Sequence, residues 1–305
     1  MAQDIRPPSL DPVAADRWLA LPVSEGASPW LHEEVASRMQ ERLDFIKLQP
    51  SVWVHWGPQR GGLAADRALQ QRYPQAQVWW AGQAPGQTPV PQGRWWQARR
   101  WLGSKIQTGL PTENTAHMLW ANMQLHASAD PQALLQTWHR TLAVDGFLMF
   151  SCFGPDTFRE LRQVYAQAGW PEPAHEFTDM HDWGDMLVQA GFAEPVMDME
   201  RITLTYATAD NLLADLRGLG RNLHTKRFDG LRGRAWRQRL SELLLQLAKP
   251  QEGGRLTLSF EIVYGHALKP QPRIKMGSQT EIGLEQMRQM LRSAGGSGGG
   301  ISDKV

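Results

Sequence analysis

The sequence predicts an α/β domain in which a mostly parallel sheet is covered by helices on both faces. Three observations predict it. Short β-branched and aromatic runs alternate with amphipathic helical stretches from Trp30 to Leu268. No internal repeat interrupts that alternation. Of 305 residues, 42% are hydrophobic and 14 are Trp, enough for one large core.

Taken in order, residues 1–28 hold four prolines and little periodicity, which predicts a flexible arm. Leu31, Val35, Met39, Leu43 and Ile46 recur at three- and four-residue spacing and predict a helix from Trp30. Ser51–His55 ends in a Gly turn and reads as a strand, Leu63–Arg72 as a helix and Gln77–Ala81 as a second strand. Gly82–Gly93, rich in Gly, Pro and Gln, is loop. Ala116–Trp120 is the next strand, and Pro131–Leu142 is a helix with Leu134, Leu135, Trp138 and Leu142 facing inward. Gly146–Cys152 reads as strand, Asp156–Gln167 and Trp183–Ala190 as helices, and Arg201–Tyr206 as an alternating strand. Helices over Asn211–Leu219 and Gly233–Leu247 precede a long final strand, Leu256–Leu268. Beyond Pro270 a short helix over Glu281–Ser293 and a flexible run at Gly295–Gly300 are expected. The expected organisation is an arm (1–28), one domain (29–270) and a flexible tail (271–305). Crossovers between parallel strands should be right-handed.

Bulk properties exclude several classes. A net charge of +1 gives no global field toward nucleic acid or membrane. Cys152, the single cysteine, excludes an internal disulfide and any multi-cysteine metal site. No run approaches the roughly 18 apolar residues of a membrane span, and the N-terminal residues lack the apolar core of a signal peptide. A cytoplasmic, enzyme-sized domain is the expectation.

Three stretches say more: GFLMFSCFGPDTFRELR (Gly146–Arg162), FTDMHDWGDMLVQAGFAEPVMDMERITLTY (Phe177–Tyr206) and FEIVYGHALKP (Phe260–Pro270). They resemble the back half of the class I S-adenosylmethionine methyltransferases, and more narrowly the malonyl-carrier-protein O-methyltransferases of biotin synthesis. The resemblance implies a Rossmann-like fold, a seven-stranded sheet with an antiparallel last strand, and methyl transfer from S-adenosylmethionine to the free carboxylate of a malonyl thioester. It extends to ANMQLH (Ala121–His126), where it implies that Asn122 holds the reactive end of the cofactor near the substrate, with His126 on the substrate side. It also implies a substrate-facing role for FGPDT, which includes Phe153 and Asp156, and an acidic carrier protein as partner. Such chemistry needs no general base, because the nucleophile is already an anion; orientation and exclusion of water do the work. Asp179, His181 and Asp182 share one short turn without a further partner at ligand spacing, so they read as helix capping and no metal is expected.

An open α/β sheet binds its ligand beyond the carboxyl ends of the strands, where strand order reverses. A Gly-rich turn after the first strand lets the backbone approach the ligand, and an acid after the second strand takes the ribose hydroxyls. Here the turn is Trp53–Gln59. By the resemblance, Trp53 stands at the place of an acid, His55 and Gln59 at two of the glycines, and Gly57 and Pro58 match. Trp56, Gly57, Pro58 and Gly82 are the expected cofactor contacts, Gly82 standing where the second acid would be. Asp66, read as helical, is the sole carboxylate between Phe45 and Thr112, an interval that also holds Arg60, Arg67, Arg72, Arg94, Arg99 and Arg100. Two lost charged hydrogen bonds weaken a ligand by about 3–6 kcal/mol, on the order of a hundred- to ten-thousandfold. Stacking on Trp53, Trp56, Trp79 or Trp80 returns about 1–3 kcal/mol, although filler in the core is the plainer reading of those indoles. Weak binding of S-adenosylmethionine is therefore expected, and an inactive methyltransferase fold serving as a binding or regulatory subunit is the alternative.

Arg217, Arg221, Lys226, Arg227, Arg232, Arg234, Arg237 and Arg239 concentrate positive charge before the last strand. A solvated helical face competes with a dock for an acidic partner, on which Arg217 is the expected substrate-side contact. Nucleic acid is the weaker option, since no recognised module accompanies the patch.

Overall fold

Strands that are apolar on both faces belong at the centre of a layered domain, with helices above and below. The computed structural model describes residues 9–21, 28–82, 106–249 and 253–272. The central sheet contains β1 (Val52–Trp56), β2 (Gln77–Ala81), β3 (Ile106–Thr108), β4 (Ala116–Ala121), β5 (Leu142–Phe153), β6 (Ala193–Tyr206), β7 (Ala248–Lys249) and β8 (Arg255–Leu268). Their order is β3-β2-β1-β4-β5-β8-β6, with β7 paired to β8 alone. The first five strands run parallel, and β8 lies antiparallel between β5 and β6. This is the Rossmann-like arrangement expected, with the two-residue β7 added to the seven main strands.

The helices are α1 (Pro12–Ala20), α2 (Trp30–Glu41), α3 (Pro58–Gly61), α4 (Leu63–Arg72), α5 (Pro131–Thr141), α6 (Arg159–Gln167), α7 (Met180–Gln189), α8 (Ala209–Leu219) and α9 (Arg234–Leu244). Because successive strand residues point to opposite faces, neighbours in sequence enter different cores. Met118 and Phe147 join Leu31, Val35 and Met39 of α2 and Leu69 of α4, with Trp53. Leu119 and Leu148 join Leu135 and Trp138 of α5 and Trp183, Met186 and Leu187 of α7. Cys152 is buried in β5, where burial pushes its thiol pKa up and leaves it a packing residue.

Part of the expected N-terminal arm is ordered against the domain. Asp11 caps α1 by accepting from Val13 N (2.9 Å) and Ala14 N (3.3 Å), and Pro12 occupies the first turn. Leu10, Ala14 and Ala15 are buried with Ala127 and Leu223. Backbone bonds from Asp11 N to Leu223 O and from Thr225 N to Ser9 O, each 2.8 Å, secure the segment. The expected helix at Glu281–Ser293 and the Gly295–Gly300 run lie outside the described residues, as does the loop from residue 83 to 93. Among the described residues, no helix is long and apolar enough to cross a membrane.

Asp66 fastens α4 to the sheet. It is 1% exposed and accepts from His55 Nδ1 (2.8 Å), Trp80 Nε1 (2.9 Å) and Gln70 Nε2 (2.5 Å). Removing an acceptor from buried donors carries their full desolvation penalty. Asp66→Ala is therefore expected to lower unfolding free energy by about 3 kcal/mol, read as a lower urea midpoint at unchanged slope. A loss below about 1 kcal/mol would show that the carboxylate is not what secures α4.

Candidate active site

Strand order reverses between β1 and β4, so the carboxyl ends of these strands flank the ligand crevice. Gly57 leaves β1 with φ +63°, in the left-handed region, and a Cβ there would lie 2.6 Å from Gln124 Oε1. Pro58 then opens α3. At the end of β2, Gly82 has φ +70° and a Cβ would run into the Trp56 indole. Trp56 is half-buried and stands edge-on to Trp138 at 5.7 Å.

Trp56 alone of the four candidate indoles stands beside both crevice glycines. Trp53 is fully buried in the α2 core, Trp80 is tied to Asp66, and Trp79 packs against the opposite core. Trp53 and Trp80 are thus structural residues. The crevice suits the adenosine end of S-adenosylmethionine in shape, with a glycine backbone and an indole beside it. Among the described residues it has no free carboxylate at the ends of β1 or β2: Asp66 is committed to the α4 interface, and Glu33 caps α4 through Ala64 N (3.0 Å) and Ala65 N (3.2 Å).

Asn122, at the end of β4, has no exposed surface. Its Nδ2 donates to His32 O (2.8 Å) and to Gly61 O, while Oδ1 accepts from Ser151 Oγ (2.6 Å). It ties α2, the turn after β1, and β5 together. In this arrangement both amide protons are taken within the protein, and the side chain braces the crevice from beneath. Met123 follows in the left-handed region at φ +54° and donates its N–H to Ser151 O (3.0 Å).

Beside the crevice lies a cavity of about 880 Å³. Phe153, Phe158 and Phe177 form one wall, with ring centroids 5.4–6.1 Å apart. His126 and Arg217 line the same cavity, so three of the four expected substrate-side residues come together. Asp156 does not join them; it pairs with Arg201 of β6 at 2.5 Å. The reason is local. Phe158 adopts φ +64°, so α6 starts at Arg159 rather than at the expected Asp156 and the intervening turn carries Asp156 aside. Asp179 caps α7 through His181 N (2.8 Å), the role expected for it.

His126 (4.6 Å) and His32 (6.3 Å) pack on Phe153, and a third imidazole, His175, packs on Phe177 (4.7 Å). His126 Nδ1 accepts from Phe153 N (3.4 Å), which leaves its proton on Nε2. His175 Nε2 donates to His126 O (2.9 Å), and His32 Nδ1 donates to Arg60 O (2.7 Å). Packing around His126 holds its pKa well below the usual range, with His175 and His32 adding to the effect. Burial lowers His32 and His175 to about 4 each. Trp18, His175, Phe177 and Arg221 also line the cavity or its mouth. Sequence reasoning left Trp18, His175 and Phe177 unassigned, and no local pattern distinguishes them.

Searches of known proteins agree with this geometry. A malonyl-acyl carrier protein O-methyltransferase of Gallionella capsiferriformans is 42% identical over 258 residues, covering 81% of this chain and 87% of the relative. Enzymes of that name from Laribacter hongkongensis (38% identical, covering 83% and 88%) and Nitrosospira multiformis (36%, covering 84% and 89%) are also similar. No family model matches the chain. Among solved structures, a Bacillus halodurans protein provisionally assigned as a methyltransferase aligns with TM-score 0.50 at 14% identity, covering 78% of this chain and 99% of its own. At that identity the likeness concerns the fold.

The buried imidazoles set a pH dependence. Their folded values lie below the ordinary 6.5, so the unfolded chain binds protons that the folded chain does not. Their contribution is complete above pH 6.5 and is lost as pH falls toward 4. Two such groups give a slope of up to about 2.7 kcal/mol per pH unit between those limits. Urea midpoints should fall on going from about pH 7 to about pH 5, and fall less in a His32→Gln/His175→Gln variant. Equal falls in the two proteins would remove these residues from the account.

Proposed function

We infer the activity from one premise: this chain belongs to the malonyl-acyl carrier protein O-methyltransferase family. The reaction is methyl transfer from S-adenosylmethionine to the free carboxylate of a malonyl thioester carried on an acyl carrier protein, a cytoplasmic step of biotin synthesis. The observation that supports it best is the glycine crevice at the switch point next to a cavity lined by His126, Phe153 and Arg217. When bound, S-adenosylmethionine would supply an electrophilic methyl group to the carboxylate oxygen, a transfer that would require no proton to move.

Gly57, Pro58 and Gly82 would give the cofactor its close backbone approach, and Trp56 an apolar wall. Asn122 holds the turn that carries these residues through Gly61 O. On the acceptor side, the neutral His126 has Nε2–H as a donor for an acyl oxygen. Phe153, Phe158 and Phe177 exclude water, which would otherwise solvate the carboxylate and blunt its attack. Phe228 (51% exposed) and Leu231 (fully exposed) stand at the cavity rim with Arg232, which lies 4.8 Å from the Phe228 ring, an apolar and basic surface that suits an acidic carrier protein. The inactive alternative has nothing in its favour beyond the absent carboxylates.

Incubation with malonyl-carrier protein and S-adenosylmethionine should yield the methyl ester by mass spectrometry, with no product from acetyl-carrier protein. Trp56→Ala should weaken S-adenosylhomocysteine binding roughly tenfold, within the 1–3 kcal/mol of an aromatic stack. Calorimetry giving equal affinities for the variant and the parent would remove Trp56 from the cofactor site. Absence of ester despite tight cofactor binding would overturn the acceptor assignment.

A further inference from the structure

Five arginines line the cavity, and two of them are neutralised within the protein: Arg227 by Asp11 (2.6 Å) and Arg237 by Asp210 (2.8 Å). Among the described residues, Arg217, Arg221 and Arg232 have no carboxylate at ion-pair distance. Arg232 is stacked against Trp236 (4.1 Å) and Phe228 (4.8 Å), on the rim side. The other two form a different arrangement. Arg221 donates from Nη1 to Arg217 O and to Gly220 O (2.7 Å), which brings these arginines together at the end of α8. The Arg221 guanidinium lies 5.0 Å from the Trp18 ring. The same ring carries Arg60 at 3.9 Å, and Arg60 Nη2 donates to Trp18 O and Leu21 O, each at 2.9 Å.

Arg60 belongs to the turn that begins at Gly57, so Trp18 links the cofactor crevice to the Arg221 end of the cavity. The guanidinia there repel one another. Burial and Arg221 lower Arg60 to about 10, and burial and Arg217 lower Arg221. A group of like charges kept beside a cavity without a counter-charge is complementary to an anionic ligand.

We propose that Arg217 and Arg221, braced by Trp18 and Arg60, read the free carboxylate of the acyl group and make this end of the cavity specific for acyl thioesters that terminate in a carboxylate. The proposal rests on the methyltransferase reading above and adds the residues that choose the acceptor. Position supports it: the carboxylate is the nucleophile, so its binding site must adjoin the cofactor, and the Arg221 end adjoins it through Trp18. Chemistry supports it as well, because a planar guanidinium pairs a carboxylate through two parallel hydrogen bonds. A site built for a polar group discriminates strongly against an acyl chain that lacks it, since its own charges are then left unpaired.

The test uses the full chain with malonyl-pantetheine, acetyl-pantetheine, malonyl-4′-phosphopantetheine and S-adenosylhomocysteine. Arg221→Gln and Arg217→Gln should each raise KM for malonyl-pantetheine roughly tenfold or more, the loss of one charged hydrogen bond, with a smaller change in kcat. By calorimetry they should lose the tighter binding of malonyl-pantetheine over acetyl-pantetheine, which has no carboxylate to methylate, and keep the S-adenosylhomocysteine affinity unchanged. Arg221→Lys, which keeps the charge, should lie between parent and Gln variant and so separate recognition from misfolding. Weakened S-adenosylhomocysteine binding with an unaltered malonyl-pantetheine KM would mean that the arginines hold the cofactor carboxylate, and the proposal would be wrong. A loss confined to malonyl-4′-phosphopantetheine would assign them to the phosphate and equally defeat it. Failure of the unmodified protein to methylate malonyl-pantetheine and malonyl-carrier protein alike, despite binding S-adenosylhomocysteine, would instead refute the parent reading and this one with it.

Discussion

The Asn122 carboxamide, without exposed surface, joins three segments that meet at the switch point: the start of α2 through His32 O, the turn after β1 through Gly61 O, and β5 through Ser151 Oγ. A buried polar network satisfied at every atom is rigid, because each broken bond would leave a group without either protein or water. The positions of Gly57 and Met123 follow from it, and so does the placement of His32 against Arg60 O. The crevice is therefore fixed by a side chain that lies beneath it.

Charge divides the molecule in a second way. The single carboxylate of the Ile46–Pro111 interval is spent on fastening α4, while Arg221, just beyond α8, and Arg60 of the Gly57 turn converge on Trp18. The crevice is accordingly short of negative charge and the neighbouring cavity rich in positive charge. A ligand in the crevice would meet glycine backbone and an indole, and one in the cavity would meet guanidinium groups.

Much of the fold was legible from periodicity. The bounds of α4 and β2 are those expected, and Leu31, Val35, Met39 and Leu43 are all buried as the helical spacing requires. What escaped depends on distant partners. α1 is short and lies among prolines, so its signal is the Asp11–Pro12 start alone, and its anchor, Leu223, is more than 200 residues away. Trp53 and Trp56, three positions apart in one strand, face opposite sides by alternation, one toward the α2 core and the other toward the crevice, and alternation alone does not say which side is which. Local pattern cannot tell which indole is filler. In the same way, Asp156 was aligned with the substrate side by resemblance, but the left-handed Phe158 moves the helix start and sends it to Arg201.

The order of the last strands has a consequence for how such a protein diversifies. β6 and β8 are adjacent and antiparallel, with Tyr206 opposite Leu256, so the stretch between them leaves and re-enters the sheet at neighbouring points. That stretch contains α8, α9 and the loop joining them, and hence most of the acceptor wall. The pairing of β6 with β8 sets no length for that stretch, although Leu212, Leu219, Leu240 and Leu244 tie it into the main core. Insertions on the outer side of that stretch can therefore lengthen the cavity wall while the strands that shape the crevice stay in register.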